Sequence, residues 1–188
     1  MMIAIRSSSR AYLSPSILTS IDKYLHSAAN ILVLNPATAP AIELRQGYLT
    51  LDLRERVVFS VAGEATVAAD GQRYEAWRAG AAERSISAST DGVAYLAIRG
   101  LVSQADTIQH LKQGAVLSAV NSNSIPDKLL TALKIPQGLR APSGDWLESV
   151  SRLQRHITLV YDAIQKGAEL VRVRVSGGEF EAWVLELE

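Results

Sequence analysis

Apolar and polar positions change their period twice along this chain. Residues 2–6 alternate weakly, enough for an edge strand. Ser14-Pro15-Ser16 then reads as a helix start. Ile17, Ile21, Tyr24, Leu25, Ala28 and Leu32 follow at spacings of three and four, one face of a helix. Asn35-Pro36 ends it, because the residue before a proline avoids helical dihedrals. From Ala41 the period drops to two. Ile42 and Leu44 alternate with polar neighbours, Gly47 turns the chain, and Leu49, Leu51 and Leu53 form a half-buried strand. Val57–Val61 is another strand. Thr66–Ala69 and Gln72–Trp77 flank Asp70-Gly71, a strong hairpin signal, and Arg84–Ser89 and Val93–Arg99 flank a second turn at Asp91-Gly92.

Beyond Gly100 the pattern weakens. Asp127–Lys134 is a short helix, and Pro136–Gly144 is a linker or boundary. Asp145 caps a helix whose one face holds Trp146, Val150, Leu153, Ile157, Val160 and Ile164; the β-branched run His156–Tyr161 leaves a strand there open. Leu170–Val175 and Phe180–Leu187 alternate around Ser176-Gly177-Gly178, a terminal hairpin. Strands so closely spaced fit a sandwich or barrel, in which closure removes exposed edges.

Composition narrows the function classes. The chain has 188 residues, which fits one domain with or without a small appendage. Lys plus Arg equals Asp plus Glu at 19 each, so no basic surplus exists to hold nucleic acid. Cysteine is absent, which removes disulfides, thiolate nucleophiles and thiolate zinc sites and suits a reducing cytoplasm. No apolar run approaches the ~20 residues of a membrane span, and the first ten residues are too polar for a signal peptide. The expectation is a cytoplasmic protein without membrane contact.

An ordered set of segments resembles a known family. Ala28-Ala29-Asn30-Ile31-Leu32-Val33 with Asn35 and Ile42-Glu43 is similar to its "LANLLVGN…LE" opening. Val58–Gly63 with Glu64 resembles "VALTGAD", and Asp70-Gly71 with Trp77 resembles "LDGxPVPxW". Gly92–Ile98 with Gly100 resembles "GxRAYLAVAGG", and Leu111–Leu117 resembles "LKAGDVL". The family is the biotin-dependent carboxyltransferase-like group, which includes the C component of 5-oxoprolinase, allophanate hydrolase subunit 2 and the antagonist of the sporulation-kinase inhibitor. The likeness runs over roughly residues 15–120.

The resemblance implies a mainly β, cyclophilin-like β-barrel over residues 1–135, with an N-terminal helix. Residues 136–188, a helix and a β-hairpin, then stand in place of the family's second half. The "TVQDLGR", "LGSRST", "DRMGxRL" and "GGYP" segments have no counterpart, so the resemblance implies a reduced subunit. Its implied chemistry is ATP-dependent opening of 5-oxoproline, or carboxyl transfer in urea-degrading relatives. It would act beside a sister subunit resembling the B component of 5-oxoprolinase or allophanate hydrolase subunit 1. ATP or biotin would enter only through that partner, and a homo-oligomer is also open. The other function class is a non-catalytic binding or regulatory module that kept the barrel and lost the reactive loops.

No residue carries a self-sufficient catalytic signature. His26, His110 and His156 fall at no metal-ligand spacing, and Ser143 lacks the setting of a nucleophile elbow. Glu43 sits between Ile42 and Leu44, so it points away from a buried pair. It either lines the barrel mouth or pairs with Arg45 or Arg99 on a sheet face. Trp77 either stacks on a ligand or closes a core. Glu43, Arg45, Trp77 and Arg99 are therefore the candidate ligand-binding residues, with no catalytic residue or metal ligand assigned. Arg172 and Arg174, alternating with valines, make either a solvated hairpin face or an edge for a partner strand.

Overall fold

Three long strands with alternating apolar positions form the spine of one curved sheet. They are β1 (Met2–Ser14), β2 (Ala41–Asp52) and β7 (Ser85–Ile98). β2 lies antiparallel between the other two. The computed structural model describes residues 1–120, 125–175 and 177–185. Beside the first half of β7 lie β4 (Thr66–Ala69) and β5 (Gln72–Tyr74). Beside its second half lies β3 (Val57–Gly63), which carries β6 (Ala79–Ala82). On the other side β1 pairs with β9 (Gln109–His110) and β10 (Val116–Ala119), and β10 pairs with β8 (Leu101–Val102).

The concave face encloses an aliphatic interior. Ile3, Ile5, Leu13, Ile42, Leu44, Leu49, Leu51, Phe59, Val61, Ile86, Leu96 and Ile98 meet there. Strands from both ends of the sheet contribute, since Val57 and Ala82 belong to the same cluster as Leu101, Leu117 and Ala119. The expected mainly β, barrel-like fold is what the chain forms.

A second core lies on the convex face. There α1 (Lys23–Leu32) covers Val58, Ala62, Ala79, Tyr95 and Ala97, together with α2 (Asp127–Ala132) and α3 (Trp146–Gln165). β3 is consequently buried on both faces, which explains its near-continuous apolar run. Ser60, its one polar side chain, donates to Ala29 O at 2.6 Å and so is satisfied in the interior.

Several local expectations change. The N-terminal strand is not a short edge but a 13-residue strand flanked on both sides. The helix begins at Lys23, not near Ile17. Ile17–Thr19 is a 3-10 turn, Ile21 is exposed, and Asp22 caps α1 by accepting from Leu25 N at 2.9 Å. α1 ends at Leu32, before Asn35-Pro36, and Leu34 adopts a φ of 57°.

Gly47 does not turn the chain. β2 continues through it, and the inward positions shift from Ile42 and Leu44 to Leu49 and Leu51 across an irregularity in register. A Cβ on Gly47 would stand 2.1 Å from Ser9 O, so the close approach of β1 and β2 there requires glycine. Asp91-Gly92 likewise lies inside β7, because residues on both sides of it pair with the same neighbour, β2. Asp70-Gly71 is the expected hairpin turn, with positive φ at both residues (53° and 83°).

The open alternative at His156–Tyr161 resolves as helix, within the unbroken α3, whose Val150, Leu153, Ile157 and Val160 are buried. The C-terminal hairpin pairs β11 (Glu169–Val175) with β12 (Gly178–Val184). Ser176, Glu186 and Leu187, assigned to that hairpin from sequence, lie outside the described residues. Glu181 of β12 accepts from Lys134 Nζ at 2.6 Å. Among the described residues no helix is long and apolar enough to cross a membrane.

Candidate functional site

A polar row crosses the convex face where α1 begins. His110, Tyr12, Glu43 and Tyr95 are successive cross-strand partners on β9, β1, β2 and β7. Glu43 is fully buried (0% exposed). One carboxylate oxygen accepts from Arg45 Nε; the other accepts from the Tyr95 hydroxyl and from Ile21 N at 3.2 Å. Arg45 also lies over the Tyr12 ring, 4.6 Å from its centroid. Tyr95 OH in turn accepts from Asp22 N at 3.1 Å. Burial, reinforced by the Glu43 carboxylate, pushes the Tyr95 phenol well above its ordinary range, so it remains a donor.

His26 is buried beside this row, edge-on to Tyr95. Its Nε2 lies 2.7 Å from Ala39 O, which only accepts, so Nε2 carries the proton. Nδ1 is then the acceptor for Ser20 Oγ at 2.6 Å, and Ser20 joins Ser14 Oγ at 2.8 Å. Burial pushes the His26 pKa down, against the Ala39 carbonyl and the Glu43 charge, and keeps the ring neutral. This pair is enclosed and serves as a brace: it ties the 3-10 turn to α1.

The four residues singled out from sequence go to three places. Glu43 and Arg45 form an ion pair, one of the two partnerships expected for that carboxylate. Arg99 does not join them. Its Nη1 donates to Val33 O at 2.8 Å at the C-terminal end of α1, where orphan carbonyls and the negative end of the helix dipole favour a cation. Trp77 is largely buried in the convex-face core, held at φ 67°.

The open space lies further along the same strands, near the middle of β2 and β7. A groove of about 570 Å³ is lined by Gln46, Tyr48, Glu64, Thr66, Thr90 and Asp91, among others. It lies where the β2–β7 register shifts, between the pairs Arg45–Val93 and Gly47–Thr90. Thr90 is consumed structurally: its hydroxyl donates to Glu64 O at 2.6 Å and accepts from Gly92 N at 3.0 Å. Gln46 Oε1 accepts from Arg10 at 2.9 Å, which leaves its amide N–H groups directed elsewhere. The Glu64 and Asp91 carboxylates have no partner among the described residues. The wall Glu64-Ala65-Thr66 is shared with a second cavity of about 370 Å³, lined also by Arg73, Tyr74, Glu75, Trp77 and Arg140.

Sequence reasoning does not single out Gln46, Glu64, Asp91 or Arg140 as lining a common site. They stand on segments far apart in sequence, and only the tertiary fold brings them to the groove and the cavity beside it. The turn signals at Gly47 and Asp91-Gly92 mark the right positions with the wrong local geometry. Among the described residues, no three His, Asp or Glu side chains converge as a metal site would need.

A family model for the carboxyltransferase domain, subdomain A and B, matches residues 20–151. No curated protein sequence matches the chain. Among solved structures, TTHA0988 superposes with a TM-score of 0.59 at 16% identity, over 66% of this chain and 32% of that one. The K. lactis urea amidolyase gives 0.54 at 18% identity, over 63% of this chain and 9% of that one. The Kluyveromyces lactis urea carboxylase gives 0.54 at 18% identity, over 72% and 16%. At these identities the likeness is one of fold, and this chain spans a third or less of each structure's length.

Proposed function

The chain belongs to the carboxyltransferase domain family, subdomain A and B, and on that footing we propose that it is a reduced carboxyltransferase-like subunit that holds a small amide or lactam and turns it over only beside a sister subunit. The observation that carries this reading is the groove at Glu64 and Asp91. It presents unpartnered carboxylates and the Tyr48 hydroxyl to a space of about 570 Å³, suited to the N–H groups of an amide. No nucleophile with an adjacent base opens onto it among the described residues; the Ser20–His26 pair is enclosed elsewhere. Binding without a resident nucleophile fits a subunit whose reactive groups arrive with a partner. ATP or biotin belongs to that partner in this reading. The sister subunit resembles the B component of 5-oxoprolinase or allophanate hydrolase subunit 1, this chain takes the place of the 5-oxoprolinase C component, and the complex works in the cytoplasm.

The test combines the purified chain with such a sister subunit. ATP hydrolysis is measured with 5-oxoproline, and separately with urea because two structural neighbours are urea enzymes. The expected result is substrate-dependent turnover in the mixture and none with either protein alone. Turnover should fall on Glu64→Gln.

A second reading has its own support. Glu43 is fully buried and held by three donors from the protein itself, so it is not open to a ligand. A non-catalytic binding module would behave as follows: a stable complex, ligand binding, and no turnover under any combination. That outcome would retire the enzyme reading.

A further inference from the structure

The C-terminal hairpin sorts its residues by face and by strand. Directly opposed residues of an antiparallel pair share a face. One face therefore carries Val171, Val173 and Val175 of β11 with Ala182, Phe180 and Val184 of β12, and Glu169 stands at its far end. The other face carries the opposed pairs Leu170–Trp183, Arg172–Glu181 and Arg174–Glu179. On that second face charge is divided between the strands, arginines on β11 and glutamates on β12.

The two strands are not equally engaged. β12 lies against α3, and its Glu181 is bound to Lys134. β11 pairs with β12 alone among the described residues, so its other edge presents unpaired N–H and C=O groups. Arg174 is held by Glu179. Arg172 stands opposite a glutamate already taken by Lys134, and it forms no ion pair among the described residues. The apolar face is open as well: Val175 is 51% exposed and Phe180 50%. A hairpin of two strands is marginal in water, and a third strand that widens an apolar face supplies what it lacks.

We propose that the outer edge of β11 accepts an extended segment of another protein, in which acidic residues alternate with apolar ones. The segment adds antiparallel to β11 as a third strand. Its acids stand opposite Arg172 and Arg174, and its apolar residues widen the valine face. β12 shows that such a pattern fits β11, because its own sequence there is Glu179-Phe180-Glu181-Ala182. Charge decides against the other surfaces that arginines serve. Arg172 and Arg174 are outnumbered by Glu169, Glu179 and Glu181, so the hairpin has no basic surplus for nucleic acid or an anionic membrane. The inference is independent of the groove and of the ligand proposed for it.

The test is fluorescence anisotropy of the full chain with three labelled peptides. The first has the sequence of β12, Gly178–Val184; the second has both its glutamates replaced by lysine; the third has the first one's backbone N–H groups methylated. The first should bind about tenfold more tightly than the second, with the difference shrinking in high salt. The third should not bind, since strand addition uses the backbone donors. Arg172→Glu combined with Arg174→Glu should reverse the order of the first two peptides. Arg172→Gln, a milder change at an exposed position, should narrow their difference and decides the matter if the double reversal disturbs the hairpin. Equal affinity for the acidic and lysine peptides, binding that survives methylation, or no binding at about 1 mM peptide overturns the proposal. Light scattering without peptide tests the second copy. A chain that associates with itself and becomes monomeric in the double variant has its own copy on this edge, which overturns a separate partner. A monomer, or association that the double variant leaves intact, keeps the edge free as the proposal requires.

Discussion

Glu43 and Tyr95 face each other across the β2–β7 ladder, and the phenol donates its proton to the carboxylate in a place solvent does not reach. A buried carboxylate is tolerated only when its charge is met by donors. Here three converge from three elements: Arg45 on the same strand, Tyr95 on the next, and the Ile21 N–H ahead of α1. The acid is therefore a fastener between the sheet and the helix that covers it.

Glu43→Ala should destabilise the chain by about 3 kcal/mol, because it strands the Tyr95 hydroxyl and the Ile21 N–H and leaves Arg45 without its charge partner. Glu43→Gln, which keeps an acceptor, should cost less. Tyr95→Phe should cost about 1–2 kcal/mol, through the donor lost to Glu43 and the Asp22 N–H left without its acceptor. Urea denaturation measures all three, and an Ala variant as stable as the parent removes the fastener role.

His26 makes stability depend on pH in a defined direction. Burial lowers its pKa in the folded state, so the unfolded chain binds more protons there once pH falls below the ordinary histidine value of about 6.5. Its contribution is complete above that value and is lost as pH falls toward the folded-state pKa. Thermal unfolding should show a decline in Tm on acidification that is smaller in His26→Gln. In NMR the His26 ring should stay neutral as pH falls just below about 6.5.

The two glycines at the β2–β7 register shift should respond unequally to substitution. Gly47→Ala places a Cβ 2.1 Å from Ser9 O, a backbone atom that cannot move without shifting β1, and should cost about 3 kcal/mol or more. Gly92→Ala meets nothing nearer than Thr90 Oγ1 at 3.9 Å and should cost under about 1 kcal/mol. Chemical denaturation of both variants checks this, and comparable losses at the two positions would contradict a glycine requirement set by the close approach of β1 to β2.

Asp70 is the turn residue with the most to lose. Its carboxylate accepts from the backbone N–H groups of Glu83, Arg84 and Ser85 at 2.8–2.9 Å. Desolvation raises its pKa, but those three donors together outweigh it and hold the group below the usual aspartate range. Asp70→Ala should cost about 1–2 kcal/mol, from the lost bonds and from the left-handed backbone that alanine resists. Because the folded-state pKa is depressed, the benefit is present above about pH 4 and fades as pH falls further. Guanidinium denaturation at pH 7 and pH 3 checks both points: the gap between parent and variant should narrow at the lower pH.

Much of the architecture is legible in the sequence. The alternation at Leu49, Leu51 and Leu53, the Asp70-Gly71 turn, the face through Val150, Leu153 and Ile157, and the terminal hairpin all lie where their local chemistry puts them. These signals are local: a period of two or of 3.6, or a dipeptide that accepts positive φ. The length of β1 is hidden because its middle, Arg6 to Arg10, is polar, and its pairing on both sides is a long-range fact. Gly47 and Asp91-Gly92 resemble turns because glycine marks departures from regular backbone without saying whether the chain reverses or merely bulges.

The sequence by itself determined that the chain is a mainly β protein with an aliphatic interior, and its ordered segments identified the family, because periodicity and motif order survive without knowledge of contacts. Only the tertiary structure decided what the polar residues do. It spent Glu43 and Arg45 on each other, sent Arg99 to the end of α1, buried Trp77 beneath Arg140, and assembled Gln46, Glu64 and Asp91 into one groove. A side chain's role depends on which donors and acceptors stand within about 3 Å of it. Strand register sets those neighbours, and register is fixed by packing across the whole sheet rather than by any residue's own surroundings in the chain.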